Sequence, residues 1–107
     1  MEQNLVTKFE ELLALAKNGN AEAMLKVARA YEGGLGIDKD VKTAFWWFLQ
    51  SANAGNAQAQ YEVALWYSDG VHCEVDYQKS VYWCKRSAMQ GNDEAKDFLD
   101  FLQGFDI

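Results

Sequence analysis

The sequence predicts an all-α chain of about six antiparallel helices, built as a repeat array. Three observations carry this. Residues recur at a fixed interval of 36: Gly19, Gly55 and Gly91; Asn20, Asn56 and Asn92; Ala16, Ala52 and Ala88; Ala23, Ala59 and Ala95. Tyr31 likewise pairs with Tyr67, Gly34 with Gly70, Asp40 with Asp76 and Trp47 with Trp83. A strict period of this length marks an architecture in which each unit buries its apolar face against its neighbours. The chain also has no proline, which suits uninterrupted helices. Finally, its 107 residues are 50% hydrophobic and 14% aromatic, the composition of a packed domain rather than a disordered segment. The expectation is one domain over residues 1–107 with one modest core.

Each element follows in turn. Leu5, Phe9, Leu12 and Ala16 stand one period before Val41, Phe45, Phe48 and Ala52, so the first helix is the second helix of a repeat without its predecessor. Asn20 caps the next helix, accepting hydrogen bonds from its first-turn N–H groups, and Gly33-Gly34 ends it. A second-type helix follows, with Val41, Ala44, Phe45, Phe48 and Ala52 as its apolar stripe. Gly55-Asn56 repeats the stop and cap. A helix from Ala57 to about Ser68 then places Ala59, Val63, Ala64 and Tyr67 on one face, and Gly70 breaks it. Val71 to Glu74 form a loop. A helix from about Val75 to Met89 carries Tyr77, Val81, Cys84 and Ala88. After Asn92 a last first-type helix runs from Asp93 to about Gln103. This makes two full repeats with a partial repeat at each end, close to the minimum for a stable array.

The formal net charge is -6, which argues against a binder of phosphate backbones, since such affinity rests on clustered Lys and Arg. An acidic surface suits a basic protein partner, or serves solubility. Met1-Glu2-Gln3-Asn4-Leu5 is not a secretory signal, and the longest apolar run, Ala44 to Leu49, is too short to span a bilayer. The expectation is a cytoplasmic protein that binds neither membrane nor nucleic acid.

The second copy reads A-Q-A-Q-Y-E-V-A-L-W-Y-S-D-G-V from Ala57, then Asp76, Ser80, Trp83 and Ser87-Ala88. The first reads A-E-A-M-L-K-V-A-R-A-Y-E-G-G-L-G-I from Ala21, then Asp40, Ala44, Trp47 and Ser51-Ala52. This resembles the Sel-one-like repeat (SLR), a relative of the tetratricopeptide repeat (TPR), over about residues 16 to 96. The small residue at the helix contact, glycine in the family pattern, is here Ala28 and Ala64. The loop glycine is Gly36 in the first copy and His72 in the second. In the third copy Asp97, Asp100 and Gln103 replace the pattern's tyrosines and small residue. The resemblance implies a right-handed α/α superhelix whose first-type helices line a concave surface. It also implies work as an adaptor or scaffold. Some bacterial members are instead secreted, disulfide-rich and penicillin-binding, and some immunity proteins contain the repeat.

No catalytic, cofactor-binding or metal-binding residue is expected. His72, Cys73 and Cys84 offer three ligands at most, two of them adjacent, whereas a structural zinc site takes four. Cys73 and Cys84 stand at the repeat positions of Ile37 and Phe48, so both thiols are expected to be buried and inert. Cys73 precedes the helix and Cys84 lies about 13 Å along it, too far for a disulfide. None of Ser51, Ser68, Ser80 or Ser87 begins a Ser-x-x-Lys motif, which weakens the reading as a hydrolase of the penicillin-binding type. Gly33-Gly34-Leu35-Gly36 lacks the lysine and preceding strand of a phosphate loop.

Trp47 and Trp83 occupy the repeat's own aromatic position and are core. Leu65 and Trp66 stand at variable positions of a first-type helix, where the first copy has Arg29 and Ala30, and are expected to meet a partner. Phe98, Phe101, Leu102 and Phe105 either face the groove or close the open end of the stack, with closure favoured. From Ala88 to Ile107, five acids face Lys96 alone. Asp93 and Glu94 complement a helix dipole, but Asp97 and Asp100 do not. The expected protein-binding set is Arg29, Glu62, Leu65, Trp66, Asp69, Asp97, Asp100 and Phe101. The function expected is non-enzymatic binding of a basic protein through the concave face by a chain that is monomeric when free. An immunity protein that masks a basic toxin domain is the sharper form, and a general adaptor or scaffold is the alternative.

Overall fold

A computed structural model describes residues 2–104, and within them every regular element is an α-helix. In chain order these are α1 (Glu2–Lys17), α2 (Ala21–Gly33), α3 (Val41–Asn53), α4 (Ala57–Asp69), α5 (Tyr77–Met89) and α6 (Asp93–Gln103). Two compact units divide the chain, Met1–Asn56 and Ala57–Ile107. In the first, α2 packs on both α1 and α3; in the second, α5 packs on both α4 and α6.

Polar side chains set where the helices begin. The Asn20 side chain accepts from the Ala23 N–H at 2.8 Å, and Asn92 does the same for Ala95 at 3.0 Å. Asp40 accepts from the Thr43 N–H at 3.1 Å and the Thr43 hydroxyl at 2.8 Å, while Asp76 accepts from the Lys79 N–H at 3.0 Å. Hydrogen bonds from Thr43, backbone first, hold the Asp40 carboxyl below its usual pKa. The helix expected from Val75 therefore starts two residues later, at Tyr77, because Asp76 is its cap.

The period extends to the bonds between helices. In the first unit the Ser51 hydroxyl, near the end of α3, donates to the Ala21 carbonyl at the start of α2, at 2.7 Å. In the second unit Ser87 donates to Ala57 at the same 2.7 Å. End meets beginning, so each pair is antiparallel. The Asn56 amide donates to Glu22 at 3.0 Å, as the Asn92 amide donates to Gln58 at 3.4 Å. Small residues allow the close approach: Ala28, Ala44, Ala59 and Ala64 are fully buried, and the Ser80 hydroxyl reaches the Ala64 carbonyl at 2.7 Å. Gly36, at φ +79°, permits a close approach to α1; a Cβ there would run into the Leu5 carbonyl and lie 3.2 Å from the Phe9 Cβ.

The apolar stripes are broader than the periodicity alone suggests. Phe9, Phe48, Ala52 and Cys84 are buried as expected, but Leu5 and Tyr77 are exposed. Tyr77 is the first residue of α5, and Ser80, Trp83 and Ser87 are buried on that helix instead. Cys73 is half-buried rather than buried, because it sits in the loop before α5, where its thiol donates to the Trp66 carbonyl at 3.4 Å. Both cysteines are free. Phe105 and Asp106 lie outside the described residues. Among the described residues no helix is long and apolar enough to cross a membrane.

Candidate protein interface

Glu62, Leu65, Trp66 and Asp69 are spaced i, i+3, i+4 and i+7, which puts all four on one face of α4. Leu65 and Trp66 are half-buried and Asp69 is exposed. The Trp66 ring lies 5.2 Å from the His72 ring, tilted by 43°. Its carbonyl accepts from both the Gly70 N–H and the Cys73 thiol, which fixes the turn under the indole. Glu62 accepts weakly from the Gln58 amide at 3.5 Å.

On α6 the aromatic residues divide. Phe98 is half-buried and meets Tyr61 of α4 edge-on at 6.3 Å. Phe101 stacks on Phe98 at 6.2 Å but remains 59% exposed. Asp97 and Asp100 are exposed. Burial first, then the negative charges of Glu94 and Glu62 and, more weakly, Asp97, push the Tyr61 phenol above its usual pKa. Tyr61 is thus a proton-retaining donor inside an acidic surround. Arg29 is exposed on α2, in the other unit.

The repeat explains why α6 differs. Asp97, Asp100 and Gln103 stand where α4 has Tyr61, Ala64 and Tyr67. Ala64 is fully buried, and its carbonyl receives the Ser80 hydroxyl of the next helix. A carboxylate at that position makes a dry helix contact costly.

Beside this face lies a groove of about 840 Å³, lined by Tyr77, Val81 and Lys85 of α5 and by Phe98, Phe101 and Leu102 of α6. The equivalent place in the first unit holds an aromatic pair. There Phe9 stands for Val81 and Tyr31 for Gln103, and the two rings meet edge-on at 5.4 Å and 88°. The chain at Gly36 then passes close to the backbone of Leu5, the counterpart of Tyr77. Tyr77, Val81 and Lys85 are absent from the interface expected from sequence. Their signal was the loss of two aromatic repeat positions, Phe9 to Val81 and Tyr31 to Gln103, read together. A second unforeseen feature is an exposed aromatic at the same repeat position of two second-type helices, Trp46 on α3 and Tyr82 on α5. Arg86 donates to the Tyr82 hydroxyl at 3.0 Å and lies 5.5 Å over the Trp83 ring.

Burial raises the thiol pKa of Cys73, and that of Cys84 to about 11, so neither is an activated nucleophile. Among the described residues no three of His, Cys, Asp and Glu are placed to share a metal.

Antiparallel helix pairs that repeat the same inter-helix bonds define a helical-repeat protein. A model of the Sel1 repeat matches residues 21–56 and 57–92, two consecutive copies, and the chain belongs to the Sel1 repeat family. Repeats of this family generally bind proteins and are generally non-catalytic. The chain is similar to a Sel1 repeat protein from Oxalobacter formigenes, at 26% identity and a TM-score of 0.82, over 86% of this chain and 69% of that one. It is also similar to a protective antigen present in uropathogenic Escherichia coli strains that displays an SLR fold. That match has 27% identity and a TM-score of 0.84, over 92% of this chain but only 21% of the antigen. No curated protein matches the chain.

Proposed function

We propose that this chain is a non-enzymatic binding module for a basic protein, and that the second unit carries its contact surface on α4 and α6. The observation that carries the reading is Phe101, 59% exposed on a helix whose only base, Lys96, is already paired with Asp93 at 3.7 Å. An exposed aromatic with Asp97 and Asp100 exposed on the same helix matches an interface in which an apolar anchor is oriented by charge. Leu65 and Trp66, with Glu62 and Asp69 on the same helix face, form the second part of the surface.

In its sharper form the partner is a basic toxin domain and the chain is the immunity protein that masks it. The acidic face supports this, because opposite charge speeds capture. Two free thiols suit a reducing compartment such as the cytoplasm.

The test is affinity capture from the host lysate, with wild type beside Trp66→Ala and Phe101→Ala. The expected result is one stoichiometric basic protein whose retention falls with rising salt. Each variant should lose about 2 kcal/mol of binding, roughly 30-fold, with helicity unchanged. An acidic partner, or one indifferent to both variants, would refute the assignment. Toxicity of the captured protein in a cell lacking this chain, relieved by co-expression, separates the immunity protein from a general adaptor.

A further inference from the structure

We infer that the exposed face of α5 is a second docking surface, which takes an acidic helix of a partner protein, with an apolar side chain between two carboxylates. It uses none of the residues of the α4 and α6 surface proposed above and does not depend on that reading.

The repeat isolates the feature. Trp46 and Tyr82 hold the same repeat position and are equally exposed, and each meets the buried tryptophan that follows it edge-on, at 4.9 Å and 5.1 Å. At the positions around Trp46 the first copy has Thr43, Gln50 and Asn53, where the second has Lys79, Arg86 and Met89 around Tyr82. Lys79, Tyr82, Arg86 and Met89 follow at i, i+3, i+7 and i+10, so they share one face of α5, and all four are exposed. Arg86 is held in place there. It donates to the Tyr82 hydroxyl at 3.0 Å, and its guanidinium lies 5.6 Å from the Tyr82 ring and 5.5 Å from the Trp83 ring. Stacking on rings fixes a guanidinium while leaving further N–H donors for a carboxylate. Lys79 lies 5.3 Å over the Tyr67 ring of α4.

Charge selects the occupant. α5 carries no Asp or Glu, but it holds Lys79, Lys85 and Arg86, leaving only Lys96 as a base elsewhere in its unit. The helix dipole explains a cation at Arg86 in the last turn but disfavours Lys79 in the first. Among the described residues neither Lys79 nor Arg86 is paired with a carboxylate. The two stand about 10.5 Å apart along the helix axis, the spacing of carboxylates seven residues apart on a helix laid alongside. Tyr82 lies between them and offers an apolar side chain its ring, and Tyr, Arg and Met are the residue types enriched in protein interfaces. The net charge of -6 repels a long polyanion such as a nucleic acid, whereas a short acidic helix needs only this local complement. Four side chains on one helix make a contact smaller than a stable interface, so the complex exchanges quickly and is read by titration rather than by capture.

The probe is a synthetic alanine-based helical peptide with two Glu seven residues apart and Leu between them. It is titrated to millimolar concentration into the full-length, nitrogen-15-labelled protein. The expected result is a set of saturable amide shifts centred on Lys79, Tyr82, Arg86 and Met89, weakening as salt rises. Affinity should fall at least tenfold when Gln replaces both Glu of the peptide, and as much for Arg86→Gln protein, whose circular dichroism should match wild type. Arg86→Lys keeps the charge but loses the planar fork, and it should weaken binding as well. Three results overturn the inference: no shift on α5, shifts that persist with the Gln peptide or with Arg86→Gln, or tighter binding at the same residues by inorganic phosphate or by vesicles containing phosphatidylserine. The last would assign the face to phosphate chemistry. Phe101→Ala protein separates the two surfaces. It should bind the peptide as wild type does, and a loss there would place the peptide on α6 and end the inference. Binding that survives in Phe101→Ala while no basic protein is captured would leave the α5 surface standing and the α4 and α6 reading refuted.

Discussion

Trp46 and Trp47 are neighbours on α3 with opposite environments, and this gives a sharp test of the helix register. Trp47 is 9% exposed and Trp46 is 52% exposed. Their rings meet edge-on at 4.9 Å, so either truncation loses that pair, worth about 0.5–1.5 kcal/mol. Beyond it the costs diverge. Trp47→Ala removes a buried indole and leaves a cavity, for a total of about 3–5 kcal/mol. At Trp46 half the side chain already meets water and solvent fills the space, so the total is about 1–2 kcal/mol. A domain of this size loses about 4 °C in melting temperature per kcal/mol, from roughly 2.1 cal/mol/K per residue. Trp47→Ala should therefore melt about 4–16 °C below Trp46→Ala. Thermal and urea unfolding followed by circular dichroism at the helix band measures both. Equal losses, or a larger loss for Trp46→Ala, would show that the face α3 turns to α2 is wrong and would remove the basis for Trp83 as its counterpart.

Further outcomes follow from single contacts. Gly36→Ala should cost about 1–2 kcal/mol for the left-handed backbone and about 1–3 kcal/mol more for the overlap with the Leu5 carbonyl. Gly19→Ala, at φ +95° with open space around it, should show only the first part, and equal losses in urea unfolding would refute the Gly36 contact. Cys84, with its pKa near 11, should have about one thiolate in a thousand at pH 8 and should react with a thiol reagent only on unfolding. Cys73 should label before it, and the reverse order would contradict the burial of Cys84. Asp40 has a lowered folded pKa, so its cap is fully stabilising above about pH 4 and weakens as pH falls through the folded value. Asp40→Asn keeps the acceptor and should flatten that acid limb of the stability profile; an unchanged limb would assign it to other carboxylates.

The helices were legible in the sequence because the repeat states each structural requirement more than once. Asn20 and Asn92, Ser51 and Ser87, Ala28 and Ala64 each recur because the same bond or close approach recurs. Boundaries were less legible. The start of α5 at Tyr77 depends on whether Asp76 caps or enters the helix, and both fit the apolar pattern. The environment of Cys73 was misjudged for a related reason: equivalence to Ile37 fixes its position in a loop, not how much of it is covered. The groove was the least legible feature. No single residue announces it, because it arises from side chains that are smaller or more polar than their counterparts. Val81 and Gln103 are unremarkable alone and meaningful only against Phe9 and Tyr31.

Where α6 departs from its period, the changes share a physical sense. Asp100 replaces a fully buried alanine at the position of closest helix contact, Gln103 replaces the tyrosine that would fill the neighbouring groove, and Asp97 adds charge beside them. Drift at unimportant positions would scatter such substitutions around the helix. Here the inner face is kept: Ala95 is fully buried, and its carbonyl accepts from the Cys84 thiol at 3.0 Å. A carboxylate tolerates water and resists dry burial, so Asp100 opposes the packing of a further helix of the same array. Phe101 has the opposite preference and gains from being covered. A helix that retains its inner contacts, refuses a copy of its own neighbour and still presents an uncovered phenylalanine is suited to a different occupant. On the proposed reading, its carboxylates favour a basic occupant.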